Sequence, residues 1–199
     1  MYGPTPMNCC STGCFVASGC FSCGRRSFCG VSLRDDVVER GNPAAGLVVA
    51  GQTIAAACCI GGSNIGTGPG PEAGGFCLVL SSGTLLLFWL ILDRAASVND
   101  SITIERDTQA GLRLGAWLVA TGAILGASVA GDWVSLAATT RDFLRYVWPA
   151  AILLLVMVVI ERKISRRQPG QHTKFRNSVF ISVAILSFGL AYAVWVGMR

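Results

Sequence analysis

Long uncharged runs, separated by short clusters of charged residues, constrain this chain more than any other feature of its sequence. A helix of about 20 apolar residues spans the roughly 30 Å of hydrocarbon in a bilayer. Such runs recur at about 44–62, 75–92, 110–130, 146–160 and 178–197. The fourth is short, and Pro149 lies near its start, where a helix tolerates the missing backbone N–H of proline. Only 14% of the residues are charged and 52% are hydrophobic, a balance that excludes an ordinary soluble domain. The predicted fold class is all-α, a polytopic transmembrane helical bundle with about five spans.

The distribution of basic residues predicts the orientation of these helices. Basic loops cross membranes poorly and accumulate on the cytoplasmic side. Thirteen of the 16 Lys and Arg residues lie before the first run, in or beside the connection between the second and third, or between the fourth and fifth. Residues 30–43, 93–109 and 161–177 are therefore expected to face the cytoplasm or its equivalent in an organelle. The expected location is a bacterial inner membrane, or a mitochondrial or plastid membrane.

The basic loop over 161–177 has two interpretations. Its Arg162, Lys163, Arg166 and Arg167 are candidate contacts for the headgroups of anionic lipids. Basic flanks are also the general rule for membrane helices, so a simple topology signal is the interpretation that we favour. The expected partners are the lipid bilayer and other membrane-protein subunits or a second copy of this chain, and no nucleic acid.

An internal repeat divides the chain. A shift of 65 residues aligns 45–66 with 110–131, with seven identities in 22 positions, and a shift of 68 aligns 85–94 with 153–162. Each unit is a small-residue helix, a loop and a bulky aliphatic helix that ends on an acid followed by an arginine. Because a unit of two spans returns the chain to its starting side, the two copies are predicted to share one orientation. The predicted parts are a Cys-rich segment that is a candidate for membrane association (1–34), the first two-helix repeat (35–97), the second (98–164), and a basic loop with a C-terminal helix (165–199).

Small residues recur along one face of the two helices that open the units. The stripe on the third run consists of Gly111, Gly115, Gly122 and Gly126. Its equivalent on the first run consists of Gly46, Ala50, Ala57 and Gly61. On a helix the members of each stripe fall within roughly 60° of one another. Since helices in lipid associate through close van der Waals contact, both stripes are predicted to be packing faces, at which the first run meets the third run or another protomer.

Polar chemistry inside the runs is sparse. Gln52 is the one large polar side chain at moderate depth, and Trp117 stands at the equivalent position of the second unit. We favour an interhelical hydrogen bond for Gln52, with a substrate contact as the alternative. Arg113 lies about one turn inside the third run, so its guanidinium is expected to snorkel to the boundary, and no acid–base pair is expected at depth. Neither an enzyme nor a cofactor is expected, because His172 is the single histidine and no catalytic triad or phosphate-binding glycine loop is present.

Cysteine is the exception to this lack of chemistry. Six of the nine cysteines lie between residues 9 and 29, and Cys20 and Cys23 have the spacing of a metal or redox pair. They are weak candidates for a metal site, because no histidine assists them. Acylation beside the membrane, or insertion of residues 8–24 into it, is an alternative, and no specific chemistry is the interpretation that we favour.

The openings of the two units resemble a known family. They read "NPAAG" at 42–46 and "DTQAG" at 107–111, each followed by a small-residue helix. With the acid–arginine ends, they are similar to domain of unknown function 350, or uncharacterised protein family 0719, over about residues 35–162. The resemblance implies a small multi-pass membrane protein with no established activity. The second opening departs from the motif, with Asp107 in place of Asn and Gln109 in place of Ala, and the Cys-rich segment stands where the family has a hydrophobic helix.

Together these features predict a non-enzymatic integral membrane protein that packs through its Gly/Ala stripes, as an oligomer or as an accessory subunit of a larger complex. One alternative is a small transporter or channel formed between the two repeats near Gln52 and Trp117. Another is a thiol- or metal-responsive membrane protein that acts through the N-terminal cysteines.

Overall fold

The computed structural model describes residues 31–68, 70–165 and 175–198, and these residues form a helical bundle. A short π-helical segment, Leu33–Glu39, precedes the helices. They are α1 (Pro43–Ser63), α2 (Pro71–Ala96), the short α3 (Val98–Thr103), α4 (Thr108–Val129), α5 (Leu136–Ser165) and α6 (Phe175–Gly197). Within the described residues, 5 helices, all but α3, are long and apolar enough to cross a membrane. The predicted all-α membrane bundle of about five spans is confirmed.

The motif at the opening of each unit starts a helix. The side-chain oxygen of Asn42 accepts hydrogen bonds from the backbone N–H groups of Ala44 and Ala45, at 3.0 and 3.4 Å, and Pro43 takes the first helical position. The Asn42 amide also donates to the carbonyl of Ile102 at 2.7 Å, which ties the start of α1 to α3. Asp107 caps α4 in the same way, but a carboxylate has no amide donor and so cannot form the second bond.

α5 is longer than the sequence predicts. The predicted span starts at 146, whereas the helix starts at Leu136 and contains Pro149 in its interior. Arg141, Asp142 and Arg145 interrupt the apolar run, but all three side chains are exposed, so the helix continues through them on its polar side. The backbone hydrogen bond that Pro149 removes is tolerated in membrane helices, where neighbouring groups can satisfy the freed carbonyl.

α4 is the central helix of the bundle. In its most apolar stretch 78% of the residues are buried inside the protein, against 22–33% for the other four crossing helices. It contacts α1 and α6 most extensively, and it also contacts α5 and α2. Its largest fully buried side chains are Arg113, Leu114, Trp117, Leu118, Ile124 and Leu125. Since α4 has little exposed surface, its sequence sets the shape of the core.

α1 and α4 run parallel and touch through their backbones. A Cβ added to Gly111 would lie 2.7 Å from the Cα of Ala44, and a Cβ added to Gly122 would lie 2.5 Å from the Cα of Ala55. The other two glycines of the α4 stripe meet carbonyls of α1 as closely. No side chain larger than hydrogen fits between the two helices at these positions, so the whole α4 stripe lies against α1.

The face of α1 that meets α4 is not the predicted stripe. That face carries Ala44, Val48, Gly51, Ala55, Cys59 and Gly62, all of them buried. Ala50, Ala57 and Gly61 are exposed instead, and a Cβ added to Gly61 would meet nothing within 4 Å. Gly46 is half-buried, and its nearest neighbour for an added Cβ is Val37 at 3.6 Å. Within this chain, therefore, the predicted α1 stripe does not contact α4.

The physical reason for this difference is the pairing of glycine with glycine. A Cβ added to Gly51 would lie 2.6 Å from the carbonyl oxygen of Gly115, and Gly62 stands in the same relation to Gly126. Two backbones approach most closely where neither helix carries a side chain. α1 thus has two faces rich in small residues, about 150° apart around the helix, and the face whose glycines match those of α4 is the one that packs.

Replacement of Gly122 by alanine is expected to lower the free energy of unfolding by about 1–3 kcal/mol, because the new methyl group collides with the backbone of Ala55. The control is Gly83→Ala in the middle of α2, where an added Cβ meets nothing within 4 Å. This control is expected to be neutral or slightly stabilising, since alanine favours the helix. Reversible unfolding in mixed micelles measures both, and equal stability of the two variants would contradict the contact.

Candidate functional site

A buried polar cluster joins three helices at the end of the bundle where α4 and α6 begin and α5 ends. Arg113 is fully buried; its Nε donates to Glu161 Oε1 at 2.8 Å and its Nη2 donates to Oε2 at 3.0 Å. Its Nη1 donates to the Ser178 hydroxyl at 2.9 Å, and that hydroxyl donates to Gln109 Oε1 at 3.0 Å. These four residues, called the Arg113 cluster below, link α4, α5 and α6 in one hydrogen-bonded chain.

The helical arrangement explains why these four side chains meet. Gln109 and Arg113 are four residues apart on α4 and therefore share one face. Glu161 lies about one turn before the end of α5, and Ser178 lies about one turn after the start of α6. Since all three helices have an end on the same side of the bundle, positions about one turn in from those ends lie at one depth, about 5–8 Å inside the helical boundary.

The ion pair is stable only because its geometry is complete. Removal of two charges from water costs several kcal/mol per ion, and their attraction offsets this only when the remaining donors and acceptors are satisfied. Here the guanidinium and carboxylate bond through two parallel contacts, the strongest arrangement for such a pair. The other two ion pairs of the described residues, Arg34–Glu39 and Arg40–Asp36, each keep an exposed arginine. The Arg113 pair is the one whose members are both buried.

The Arg113 cluster corrects two expectations drawn from the sequence. Arg113 does not snorkel to the boundary, because Glu161 of α5 offers it a partner inside the bundle. The expectation that no acid–base pair lies at depth is wrong for the same reason. The sequence does carry a signal for this pair. Arg113 lies about one turn after the start of α4, and Glu161 lies about one turn before the end of α5, on the same side of the bundle. Gln109, which departs from the family motif, also belongs to the cluster.

Gln52 and Trp117, the positions predicted to lie near a polar contact, are not members of the Arg113 cluster. Gln52 is half-buried on α1, beside the buried Gly51. Trp117 is fully buried on α4, and its ring contacts that of Trp89 on α2 with centroids 6.4 Å apart. Its indole nitrogen and the hydroxyl of Thr121, one turn further, are buried without a hydrogen-bond partner among the described residues. Trp117 lies one turn beyond Arg113 on α4 but forms no hydrogen bond with the Arg113 cluster.

Most of the cysteine predictions lie outside the described residues. Cys20 and Cys23 belong to residues 1–30, which the structure does not describe. Cys58, Cys59 and Cys77 have free thiols and lie on α1 and α2. Over residues 31–68, 70–165 and 175–198, no group of three or more His, Cys, Asp or Glu side chains is placed to hold a metal ion. The possibility of a metal site at the N-terminal cysteines stays a prediction.

A solvent-open cavity of about 640 Å³ lies at the opposite end of the bundle, between the α1–α2 and α4–α5 loops. The two loops are tied together by Thr67, whose backbone N–H and hydroxyl donate to Asp132 Oδ1 at 2.8 and 2.7 Å. These hydrogen bonds lower the pKa of Asp132. The hydrogen bonds between Thr67 and Asp132 therefore contribute their full stability above the usual pKa of an aspartate. This contribution is lost as the pH falls through the lowered pKa of Asp132 in the folded protein.

Replacement of Glu161 by glutamine is expected to lower the free energy of unfolding by about 3–5 kcal/mol, because it leaves the Arg113 guanidinium buried without a counter-charge. The matched control is Glu39→Gln in the exposed pair with Arg34, where the expected cost is about 0–1 kcal/mol.

The double variant Arg113→Gln with Glu161→Gln is expected to lose less stability than the sum of the two single variants, since no charge is left unpaired. Thermal or denaturant unfolding in one detergent measures the whole cycle. Additive effects, or an effect of Glu161→Gln no larger than that of Glu39→Gln, would show that the pair does not fasten the bundle.

Comparison with known proteins places the chain in a family. A family model described as Domain of Unknown Function (DUF350) matches residues 14–129. The match begins within the Cys-rich segment and ends at the last residue of α4, so it includes Gln109 and Arg113 but not Glu161 or Ser178. No curated protein and no solved structure matches the chain. The match covers more than half of the sequence, and the chain therefore belongs to the DUF350 family of membrane-type helical proteins.

Proposed function

We infer that this chain is a non-enzymatic membrane protein that associates with other transmembrane helices through the outward face of α1, either with a second copy or as an accessory subunit of a larger complex. The observation that carries this proposal is that α1 has two small-residue faces and uses only one of them within the chain. The second, called the outer face of α1 below, comprises Gly46, Ala50, Thr53, Ala57 and Gly61.

The outer face of α1 differs from the other surfaces that the bundle turns toward lipid. α2, α5 and α6 expose bulky side chains such as Leu87, Leu155 and Phe188, which suit the acyl chains. The outer face instead presents glycine, alanine and threonine, and the Thr53 hydroxyl donates to the carbonyl of Val49 at 2.8 Å. Lipid tails gain nothing special from such a surface, whereas another helix can approach it closely enough for backbone contact.

A second copy is the simplest partner for this face. The positions at i, i+4, i+7, i+11 and i+15 form one narrow stripe, so two outer faces related by a two-fold axis along the membrane normal would match each other. The contact between α1 and α4 in this chain is a parallel contact of the same type. An accessory subunit would use the same stripe against a small-residue face on another protein.

The orientation proposed for this assembly follows from its charges. Arg34, Arg40, Arg94, Arg106, Arg162, Lys163 and Arg176 lie toward one end of the described bundle. Arg141 and Arg145 lie toward the other end, near the start of α5. The rule that basic loops stay on the cytoplasmic side supports placing the first end in the cytoplasm or its organelle equivalent, in a bacterial inner membrane or a mitochondrial or plastid membrane.

Replacement of Gly61 by leucine is expected to weaken association about tenfold or more, because the new side chain would keep the backbone of a partner helix at a distance. The fold itself should tolerate the change, since an added Cβ at Gly61 meets nothing within 4 Å. The control is Gly83→Leu, at an equally open glycine on the exposed side of α2.

Energy transfer between labelled copies in liposomes measures self-association, and recovery of partners from the native membrane measures the accessory role. The proposal predicts that Gly61→Leu loses one of these signals and that Gly83→Leu retains it. If both variants behave like the unaltered protein in both measurements, the outer face of α1 is not the contact.

A second candidate function, a small transporter or channel, is favoured by the Arg113 cluster. Ionisable residues buried in membrane helices commonly mark ion or proton pathways. This function predicts flux in proteoliposomes that falls on Gln52→Leu, a residue on the predicted pathway, and on Glu161→Gln. Flux that is absent, or that survives both substitutions, would leave the Arg113 cluster with a structural role alone.

A further inference from the structure

We propose that the groove between the ends of α2 and α5 binds the phosphate of an anionic phospholipid through Arg94 and Arg162. The groove has a volume of about 490 Å³ and lies on the outside of the bundle. Five residues line it: Leu90, Ile91, Arg94, Ala95 and Arg162. Two arginines thus stand at one end of an apolar groove.

Arg162 is held in position for such a ligand. Its Nε donates to the backbone carbonyl of Ala95 at 2.8 Å, which fixes the guanidinium across the last turn of α2 and beside Arg94. The two terminal nitrogens of the guanidinium form no hydrogen bond with the described residues, so they can donate to an external anion. Arginine binds phosphate oxygens through such paired nitrogens, and it is less strongly hydrated than lysine, so it gives up water more readily.

Neither arginine is neutralised by the acid that precedes it in the sequence. Asp93 accepts a hydrogen bond from the backbone N–H of Asn99 at 3.0 Å, at the start of α3. Glu161 directs both of its oxygens into the bundle toward Arg113. Among the described residues, no carboxylate forms an ion pair with Arg94 or Arg162. Two positive charges therefore share one groove, and an external anion would relieve their repulsion.

The depth of the groove selects a lipid over a free anion. Arg94 and Arg162 lie within the last turns of helices that cross the membrane, where the phosphates of lipid headgroups are located. Leu90 and Ile91 are exposed and lie about one turn deeper along α2. A phospholipid would place its phosphate between the arginines and its first acyl carbons against these two side chains, whereas a soluble phosphate would use only the charges.

The repeat pattern of the sequence gives this groove a simple origin. The aliphatic helix of each unit ends on an acid followed by an arginine, Asp93-Arg94 and Glu161-Arg162. The fold brings the two arginines together on the surface and directs the two acids to separate internal bonds. This inference does not rest on association through α1, because the groove lies on α2 and α5.

The test is native mass spectrometry of the full chain in detergent, titrated with phosphatidylglycerol and, separately, with phosphatidylcholine of the same acyl chains. Arg94→Gln and Arg162→Gln are each expected to weaken the phosphatidylglycerol adduct about fivefold, and the double variant about twentyfold or more. The control is Arg176→Gln, which removes the same charge from the same end of the bundle, at the start of α6. Its expected effect is less than about twofold.

The remaining outcomes each overturn the proposal. If Arg176→Gln weakened the phosphatidylglycerol adduct as much as Arg94→Gln does, the lipid would be attracted to the basic end of the bundle in general and not to this groove. Equal adducts with phosphatidylcholine would show that charge is not recognised. Inorganic phosphate that displaces phosphatidylglycerol at equal concentration would identify a site for a free anion. The Arg94 side chain forms no hydrogen bond or ion pair with the described residues, so Arg94→Gln is expected to fold normally. The test therefore stays decisive even if Arg162→Gln does not fold.

Discussion

The backbone contact between α1 and α4 is the constraint on which the rest of this structure depends. In lipid, a helix gains little by burying aliphatic side chains against another helix, so close approach has to supply the stability. Facing glycines at Gly51 and Gly115, and again at Gly62 and Gly126, permit that approach along almost the whole length of both helices. α4 then lies at the centre: α6 approaches it closely at Gly189, and α2 and α5 cover its other sides with bulkier side chains such as Leu85 and Met157.

Polar contacts fasten the two ends of this bundle. At one end, the Arg113 cluster joins α4, α5 and α6 through a buried ion pair. At the other, Asp132 ties the α4–α5 loop to Thr67 of the α1–α2 loop. The inward direction of Glu161 has a second consequence, because it leaves Arg162 without a counter-charge on the surface. Internal fastening and the proposed recognition of lipid thus come from the same acid–arginine pair.

The sequence predicts the class of fold well because that class depends on local properties. Lengths of uncharged runs are enough to find the five membrane-spanning helices, and the capping pattern is enough to find where α1 starts, at Asn42 and Pro43. The long first part of α5 was missed because exposed charges at Arg141 and Arg145 resemble a loop in hydropathy.

What the sequence could not predict is which faces meet. Both faces of α1 are made of small residues, and the choice between them depends on glycine matching across helices 60 or more residues apart. The ion pair of Arg113 with Glu161 was missed for a similar reason, since each residue alone looks like a boundary charge and only the relative position of α4 and α5 makes them partners. Such pairings depend on tertiary contact rather than on local pattern.

Cysteine cross-linking along α1 tests the central claim most directly, that one face of this helix holds α4 and the other meets a neighbouring protein. In a background without native cysteines, Ala57→Cys on the outer face and Ala55→Cys on the inner face would be oxidised in intact membranes. The account predicts a covalent adduct, with a second copy or with another membrane protein, at Ala57→Cys and none at Ala55→Cys, whose position is fully buried against α4. Adducts at both positions, or at neither, would contradict it.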